Sequence, residues 1–461
     1  MPPAPPPPPP ATRPVVTSRA VVHRPADKPD FLLITASNLP LRNTGFGGNT
    51  TVKTPNLDKL ASEGVLFTRF YTTTPQPAPA RASLLTGRYP HHWDVTTEGP
   101  EPRSLPPETD TFTGRLAEAG YRCAIIGPWD FEGAVAVKPV FGFVDYPAVT
   151  GQPWDWTHCD VWIEGRQTKA DSFLPDWTAD RAIEYLARGG DQPTFLWVSF
   201  HAPNLPKIYP PDGQNLYPPE AITLPLTYTT SLPDRPSILA QTTAARDDQY
   251  AGEKGIREAW SRHFAMLTHL DRQIGLLLES LDKLGLRERT VVVFLSESGC
   301  ALGDHQLLGT PPSLYEEMVR CPLIIAPPGT GPRNAKVNRV TSLIDLAPTL
   351  LAMAGLETPV TLEGRSLTPL MADPGSDGHL GECFLELGRQ QNLNCEARGI
   401  IVGNFKYMDY ATGTDAFFDL GRDPEETHGL LQDPQYAGVL NVLKTRLQQW
   451  QQATRDPLLH R

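Results

Sequence analysis

The first apolar segment of the chain reads Phe31-Leu32-Leu33-Ile34-Thr35 and follows the acidic residue Asp30. A continuous apolar run of this length is typical of a strand that is buried on both faces of a sheet. The same pattern predicts core strands at 123–126, 194–200 and 290–295. Predicted helices alternate with these strands, which indicates an α/β fold with a large mixed, mainly parallel sheet between helices.

The sequence pattern changes between the middle and the C-terminal part of the chain. The longest predicted helix runs from about residue 256 to 284, where apolar residues recur at helical spacing. Past residue 365 the pattern changes to short strands joined by turns, and a terminal helix follows. We therefore predict an α/β domain over residues 30–365 and a small α+β subdomain over residues 366–461.

The N-terminal segment is rich in proline, which supplies eight of the first ten residues. This composition predicts a disordered or polyproline II tail over residues 1–29. The simpler interpretation is a solvated leader, and docking to an SH3-like groove is the alternative.

Composition excludes several classes of protein. The chain has 461 residues, and its 41 Lys and Arg against 52 Asp and Glu give a net charge of −11, which argues against a nucleic-acid binder. No apolar run approaches the roughly 20 residues that cross a bilayer, so no membrane span is expected. The N-terminus lacks the apolar core of a secretory signal, which predicts a cytoplasmic protein, or a secreted or periplasmic one if the true start is missing. Six cysteines are too sparse for a disulfide framework, with a Cys383–Cys395 bridge as the alternative to free thiols.

Five segments carry motifs that belong together, in a fixed order along the chain. They are Thr-Pro-Asn-Leu-Asp at 54–58, Arg-Ala-Ser-Leu-Leu-Thr-Gly-Arg-Tyr-Pro-His at 81–91, and the segments 296–305, 315–325 and 418–424. Together they resemble the sulfatase family of the alkaline-phosphatase-like superfamily, from about residue 30 to 455. The resemblance implies the alkaline-phosphatase-like sulfatase fold.

The resemblance also implies a chemistry, most of whose groups are replaced here. Sulfatases convert a cysteine or serine to formylglycine, hold a divalent cation, usually calcium, and use lysine and histidine to stabilise charge and move protons. The family's metal positions fall on Ser37, Asn38, Glu297 and Ser298. The formylglycine precursor falls on Pro77, and further pocket positions fall on Arg81, Pro128, Asp130, His201, Asn204 and Thr310. Of the carried-over groups, Arg81 is unchanged and Glu297 keeps a carboxylate, so no cofactor is expected, and Ca²⁺ only if the site is functional.

These replacements predict a sulfatase-like pseudoenzyme. Its expected ligand is a sulfated or other anionic small molecule or glycan, or a protein partner. The alternative is an active sulfuric-ester or phosphoric-ester hydrolase with rearranged residues, in which Ser83 or Thr74 would be the nucleophile. Arg81 is expected either to bind the anion or to form a structural ion pair. The histidines at 91, 92 and 305 are interpreted as structural.

Overall fold

Strand β1, Asp30–Ser37, lies near the centre of a large mixed sheet in the computed structural model of the chain. All of its residues are buried, because strands pair with it on both edges and helices cover both faces of the sheet. The structure describes residues 28–93, 105–106, 108–129, 141, 143–147, 156–157, 159–204, 208–229, 252–329, 331–388 and 395–460. Residues 1–27 of the predicted tail and Asp130 lie outside these ranges.

The elements of the described residues have the following bounds. The remaining strands are β2 (Val65–Tyr71), β3 (Arg122–Ile126), β4 (Phe143–Pro147), β5 (Asp160–Ile163), β6 (Arg166–Lys169), β7 (Thr194–Pro203), β8 (Thr290–Ser296), β9 (Ala301–Leu302), β10 (Leu308–Gly309), β11 (Arg320–Ala326), β12 (Ala335–Val337), β13 (Thr341–Ser342), β14 (Glu382–Leu387), β15 (Ala397–Val402), β16 (Phe405–Tyr410) and β17 (Ala416–Asp419). The α-helices are α1 (Pro55–Glu63), α2 (Pro77–Thr86), α3 (Phe112–Glu118), α4 (Leu174–Arg188), α5 (Leu226–Thr229), α6 (Gly252–Lys283), α7 (Glu316–Val319), α8 (Leu346–Met353), α9 (Thr368–Ala372) and α10 (Ala437–Thr454).

The large sheet confirms the predicted fold class. Its strand order is β12-β2-β11-β8-β1-β7-β3-β4-β5-β6, with β13 paired to β2. Strand β1 is parallel to β7 and β8, and β3 is parallel to β7 and β4. Strand β11 runs antiparallel between β8 and β2, and β5 and β6 form an antiparallel edge. One apolar core packs α1, α4 and α6 on one face, and a second packs α2, α3, α8 and α9 on the other.

The C-terminal sheet is small and antiparallel, in the order β14-β15-β16-β17. One of its faces packs against residues of α7, and the other packs against α10 through Leu443, Leu447 and Trp450. This matches the predicted α+β unit. Helix α9 lies past residue 365 but packs in the core of the large sheet through Leu370 and Met371, and the boundary at 365 stays a prediction.

Local sequence signals set the starts of two helices. Helix α3 begins at Phe112, because the Thr111 side chain accepts the Gly114 N–H and caps it. Helix α4 begins at Leu174, where Pro175 fits the first turn. None of the six cysteines, all of which are described, forms a disulfide, so the Cys383–Cys395 alternative is not formed. Among the described helices, none has the length and apolar character needed to cross a bilayer.

Candidate active site

The carboxyl ends of β1, β7 and β8 meet at one edge of the sheet, and most predicted site residues lie there. Because Ala36 pairs with Ser296, the residues after β8 lie beside the end of β1. The backbone continues this pairing, since the Leu39 N–H donates to the Ser298 carbonyl at 2.9 Å. On the other side, the Asn204 N–H donates to the Ser37 carbonyl at 3.2 Å. The predicted metal positions and Asn204 therefore form one contiguous group.

Three neutral side chains of this group bind one another. The Ser298 hydroxyl donates to Asn38 Oδ1 at 2.8 Å, and the Asn38 amide nitrogen donates to Asn204 Oδ1 at 2.5 Å. Asn38 adopts a left-handed backbone conformation with φ 60°, which asparagine tolerates better than most residues. The amide and hydroxyl oxygens of this network are thus occupied by protein donors.

Helix α2 carries Pro77 and Arg81 to the same edge. Pro77 is the first residue of the helix, where its fixed φ suits the first turn and its missing N–H costs nothing. The helix ends at Gly87, whose φ of 62° allows its N–H to bond back to Ser83. Pro77 is half-buried at the position predicted for the formylglycine precursor, and its Cβ carries no sulfur or oxygen, so it cannot be oxidised to the formylglycine aldehyde as cysteine or serine can.

Arg81 and Glu297 form a buried ion pair. Arg81 Nε lies 3.0 and 2.9 Å from the two carboxylate oxygens, and the side chains are 1% and 0% exposed. The guanidinium also donates to the Pro128 carbonyl at 3.1 Å and to Ser199 Oγ at 3.3 Å. Of the two expectations for Arg81, this geometry matches the structural ion pair.

Pro128 reaches Arg81 because the preceding residue allows two strands to approach closely. Gly127 has φ 110°, and a Cβ at this position would lie 1.8 Å from the Ser199 carbonyl oxygen. Only glycine fits such an approach. The chain therefore places a backbone carbonyl, and no lysine, against the guanidinium.

The described residues at the predicted metal positions do not fit a divalent cation. Calcium takes six to eight oxygen ligands, several of them carboxylates. At the predicted metal positions Glu297 supplies the carboxylate, and Arg81 holds both of its oxygens. Within the described ranges, no group of three or more His, Cys, Asp or Glu side chains is placed to hold a metal.

Other predicted positions lie apart from this group or outside the described residues. Thr310 is exposed and follows β10 in a two-stranded ribbon. His201 is half-buried near the end of β7, with its ring 6.4 Å from that of Trp156. Pro128 contributes its carbonyl only. Asp130 lies outside the described residues, so its predicted place in the pocket stays a prediction.

The alternative nucleophiles are buried. Ser83 is fully buried and its hydroxyl accepts from the Thr73 hydroxyl at 3.0 Å. Thr74 is 1% exposed. Neither arrangement shows the adjacent base that activates a hydroxyl nucleophile.

The three histidines interpreted as structural each bond to a carboxylate. His91 Nδ1 lies 2.5 Å from Glu386, and His92 Nε2 lies 2.8 Å from Glu363. Burial lowers the pKa of His305, but the Glu317 carboxylate at 2.9 Å outweighs it and raises that pKa to about 9. Each of these histidines therefore has a carboxylate of the protein as its partner, which matches their interpretation as structural residues.

Sequence reasoning missed two buried residues near this edge. His263 of α6 bonds to Asn43 at 3.3 Å, and burial lowers its pKa to about 4, against the opposing effect of the Asn204 backbone. His263 is therefore neutral at physiological pH. Gln76 precedes Pro77 and is buried. Only the N-cap position before a proline could have drawn attention to Gln76. His263 is one of several buried polar residues of α6, so the sequence pattern does not single it out.

A separate cleft of about 840 Å³ lies beside the helices α1, α4 and α6. Residues of α1 and of the C-terminal half of α6 line it, among them Lys59, Gln273 and Asp282. None of the predicted site residues lines this cleft. It is therefore distinct from the candidate active site.

Comparison with known proteins identifies the family of the chain. The Sulfatase family matches residues 29–356, and the C-terminal region of N-sulphoglucosamine sulphohydrolase matches residues 304–453. The ulvan-active sulfatase of Formosa agariphila is 27% identical over 435 residues, which cover 91% of this chain and 80% of that protein. The Delta 4,5-hexuronate-2-O-sulfatase of Bacteroides thetaiotaomicron is 26% identical, with coverage of 90% and 87%.

A solved structure shows the same fold. The structure of BT4656 in complex with its substrate D-Glucosamine-2-N, 6-O-disulfate has a TM-score of 0.83 and 21% identity, and the match covers 93% of this chain and 99% of that one. The family match extends over most of the chain and includes every strand that carries the candidate site. The chain belongs to the sulfatase family.

Proposed function

We propose that this sulfatase-family protein binds a glycan and does not hydrolyse sulfate esters. The observation that carries the proposal is the ion pair between Arg81 and Glu297. It commits the carboxylate retained at the metal positions to the protein's own cation. A divalent cation would have to displace a fully buried guanidinium, whose Nε contacts both carboxylate oxygens, to use that carboxylate.

The groups needed for hydrolysis are also replaced. A nucleophile at Pro77 would need an oxygen that the pyrrolidine ring lacks. Proton transfer to a leaving group needs a titratable side chain. Asn204 and Thr310 offer none, and Pro128 contributes a carbonyl. Of the other pocket positions, His201 is titratable and half-buried near the end of β7, and Asp130 lies outside the described residues. We therefore expect binding without turnover.

The relatives favour a glycan as the ligand. The proteins described above include an ulvan-active sulfatase, a hexuronate sulfatase and a protein bound to a sulfated glucosamine. A retained fold with altered pocket groups supports recognition of the same broad class of molecule by this chain. A protein partner and a cytoplasmic location stay predictions.

The test is hydrolysis by the full-length protein. Nitrophenyl sulfate and nitrophenyl phosphate are incubated with the wild type and with Arg81→Lys and Glu297→Gln, with and without added calcium. We expect the same background rate from all three proteins. The control is Arg398→Lys, which alters a buried pair with Asp456 that lies away from the candidate site.

One outcome would establish the alternative, an active ester hydrolase with rearranged residues. It is turnover above background that Arg81→Lys or Glu297→Gln abolishes and Arg398→Lys retains. Such a result would show that the buried pair takes part in hydrolysis.

A further inference from the structure

A buried histidine between β9 and β10 joins the C-terminal unit, by which we mean β14–β17, α10 and the described residues between them, to the rest of the chain. The side chain of His305 is 2% exposed. Its Nδ1 lies 2.9 Å from the Glu317 carboxylate of α7, and its Nε2 lies 3.3 Å from the Glu426 backbone carbonyl of the C-terminal unit. The ring also stacks on Tyr315, with 3.8 Å between the ring centres.

A second histidine, in the segment after α2, makes the same kind of bridge. The side chain of His91 is 2% exposed. Its Nδ1 lies 2.5 Å from the Glu386 carboxylate of β14, and its Nε2 lies 3.2 Å from the Thr454 backbone carbonyl of α10. Both partners of this ring belong to the C-terminal unit.

Both nitrogens of each ring therefore face an oxygen that can only accept a hydrogen bond. A neutral imidazole carries one N–H and can satisfy one of the two oxygens, whereas an imidazolium satisfies both. Docking of the C-terminal unit is thus matched to His91 and His305 in their protonated form.

Other histidines that bind a carboxylate have a different arrangement, because a donor faces the second ring nitrogen. They are His92 with Arg88 at 3.1 Å, His269 with Arg272 at 3.3 Å and His379 with the Gly381 N–H at 3.2 Å. Such a ring needs a single N–H. The carboxylates that these three histidines bind lie outside the C-terminal unit: Glu363, Asp176 and Asp345.

Charged and titratable groups from several elements surround the two bridges. Besides their carboxylate partners, the groups near His305 are Asp304, Arg42, Tyr315, the Glu426 carboxylate and, bound to that carboxylate, Lys406 with Glu316. The groups near His91 are Tyr89, His92, Asp456 and Arg398. Burial lowers the pKa of both histidines, but the carboxylates outweigh it and raise the pKa of His91 above 6.5 and that of His305 to about 9.

We propose that His91 and His305 form a pH-sensitive latch, which holds the C-terminal unit against the large sheet when both rings are protonated and loosens it in alkaline solution. The proposal is independent of the proposed function and holds whether or not the site hydrolyses esters. Helix α7 extends the effect to the candidate active site, because the Gly299 N–H after Ser298 donates to the Met318 carbonyl of this helix at 2.9 Å.

The direction of the pH effect follows from the raised pKa values. The stabilisation from a raised histidine is complete below pH 6.5 and is lost as the pH rises through the folded pKa, which is about 9 for His305. Burial also raises the pKa of Glu426 to about 7, and its contribution is likewise lost as the pH rises through that value. The titrations of His305 and Glu426 therefore both weaken docking toward alkaline pH.

The experiment is hydrogen–deuterium exchange of the full-length protein at pH 6 and pH 9, with exchange rates expressed as protection factors to remove the intrinsic effect of pH. We expect protection of β15, β16 and α10 to fall about tenfold or more between the two pH values, because each unit between the folded and unfolded pKa of a group changes the opening equilibrium about tenfold. Protection of β1 and β8 should stay unchanged. The double variant His91→Gln/His305→Gln should show low protection of the C-terminal unit at both pH values.

The matched control is His379→Gln, since His379 is also buried against a carboxylate but receives the Gly381 N–H on its other nitrogen. This variant should keep the pH dependence of the wild type. Three results would overturn the proposal: equal protection of the wild-type C-terminal unit at pH 6 and pH 9, a loss at pH 9 that is as large in β1 and β8, and a pH dependence that persists in the double variant. The wild-type profile needs no variant, so it tests the latch even if the double variant does not fold.

Discussion

Replacing Arg81 by methionine tests whether the guanidinium neutralises Glu297. Arg81 Nε contacts both carboxylate oxygens and the pair is essentially inaccessible to solvent, so the variant leaves an uncompensated buried carboxylate. Such a change costs about 3–5 kcal/mol of folding free energy. The double variant Arg81→Met/Glu297→Leu removes both charges and should recover most of this loss, because apolar replacement of a buried pair is often neutral or stabilising.

The assay is urea unfolding of the four proteins of the double-mutant cycle, with and without a chelator of divalent cations. The control is Arg115→Met, since Arg115 forms a similar two-point contact to Asp110 at 2.8 and 3.1 Å but both side chains are about 40% exposed (39% and 45%). An exposed pair contributes about 0–1 kcal/mol. If Arg81→Met costs no more than this control, or if the chelator destabilises the wild type, then Arg81 is not the counter-ion of Glu297.

Three further predictions concern modification, metal binding and pH. Peptide mass analysis should find unmodified Pro77 and no aldehyde between residues 70 and 90; an aldehyde there would contradict the placement of the formylglycine position. Restoring the family ligands as Ser37→Asp, Asn38→Asp, Glu297→Asp and Ser298→Asn should make calcium raise the melting temperature, which it should not do in the wild type; a folded quadruple variant without this response would show that the metal positions are misaligned. His305 has its pKa raised to about 9, above the usual 6.5, so its protonated form stabilises the fold fully below pH 6.5 and loses this effect as pH rises through about 9. His305→Gln should therefore reduce stability most at low pH and least above pH 9, and a uniform loss at every pH would refute the assigned shift.

The core strands and their burial were predictable, because a continuous apolar run is visible in the local sequence. A run such as 31–35 is apolar on both faces, and the structure buries all of it. The parallel pairing that joins the ends of β1, β7 and β8 follows from alternating helices and strands. The edge strands β5 and β6 were not predicted, because Arg166–Lys169 is exposed and polar throughout.

The candidate site was predictable only by position. The resemblance to the family assigned Ser37, Asn38, Glu297 and Ser298 to one group, and in the structure hydrogen bonds join the segment after β1 to the segment after β8. Their role as former metal positions stays a prediction. The sequence could not show whether Arg81 contacts a ligand or Glu297. The two residues are 216 positions apart in the chain, and their contact depends on the conformations of both side chains. Gln76 escaped prediction because an unpaired buried amide becomes visible only when every possible partner has been located.

The arrangement around Glu297 also explains how this edge of the sheet can remain ordered without a divalent cation. Several carboxylates converging on one buried point repel one another unless a cation compensates them. In this chain three of the four predicted metal positions carry neutral serine or asparagine side chains, and two of these, Asn38 and Ser298, bond directly to each other. The remaining carboxylate is matched by one guanidinium whose other donors bind Pro128 and Ser199. The charge of Glu297 is thereby compensated by the protein's own guanidinium, which supports the proposal that no divalent cation is held at this edge of the sheet.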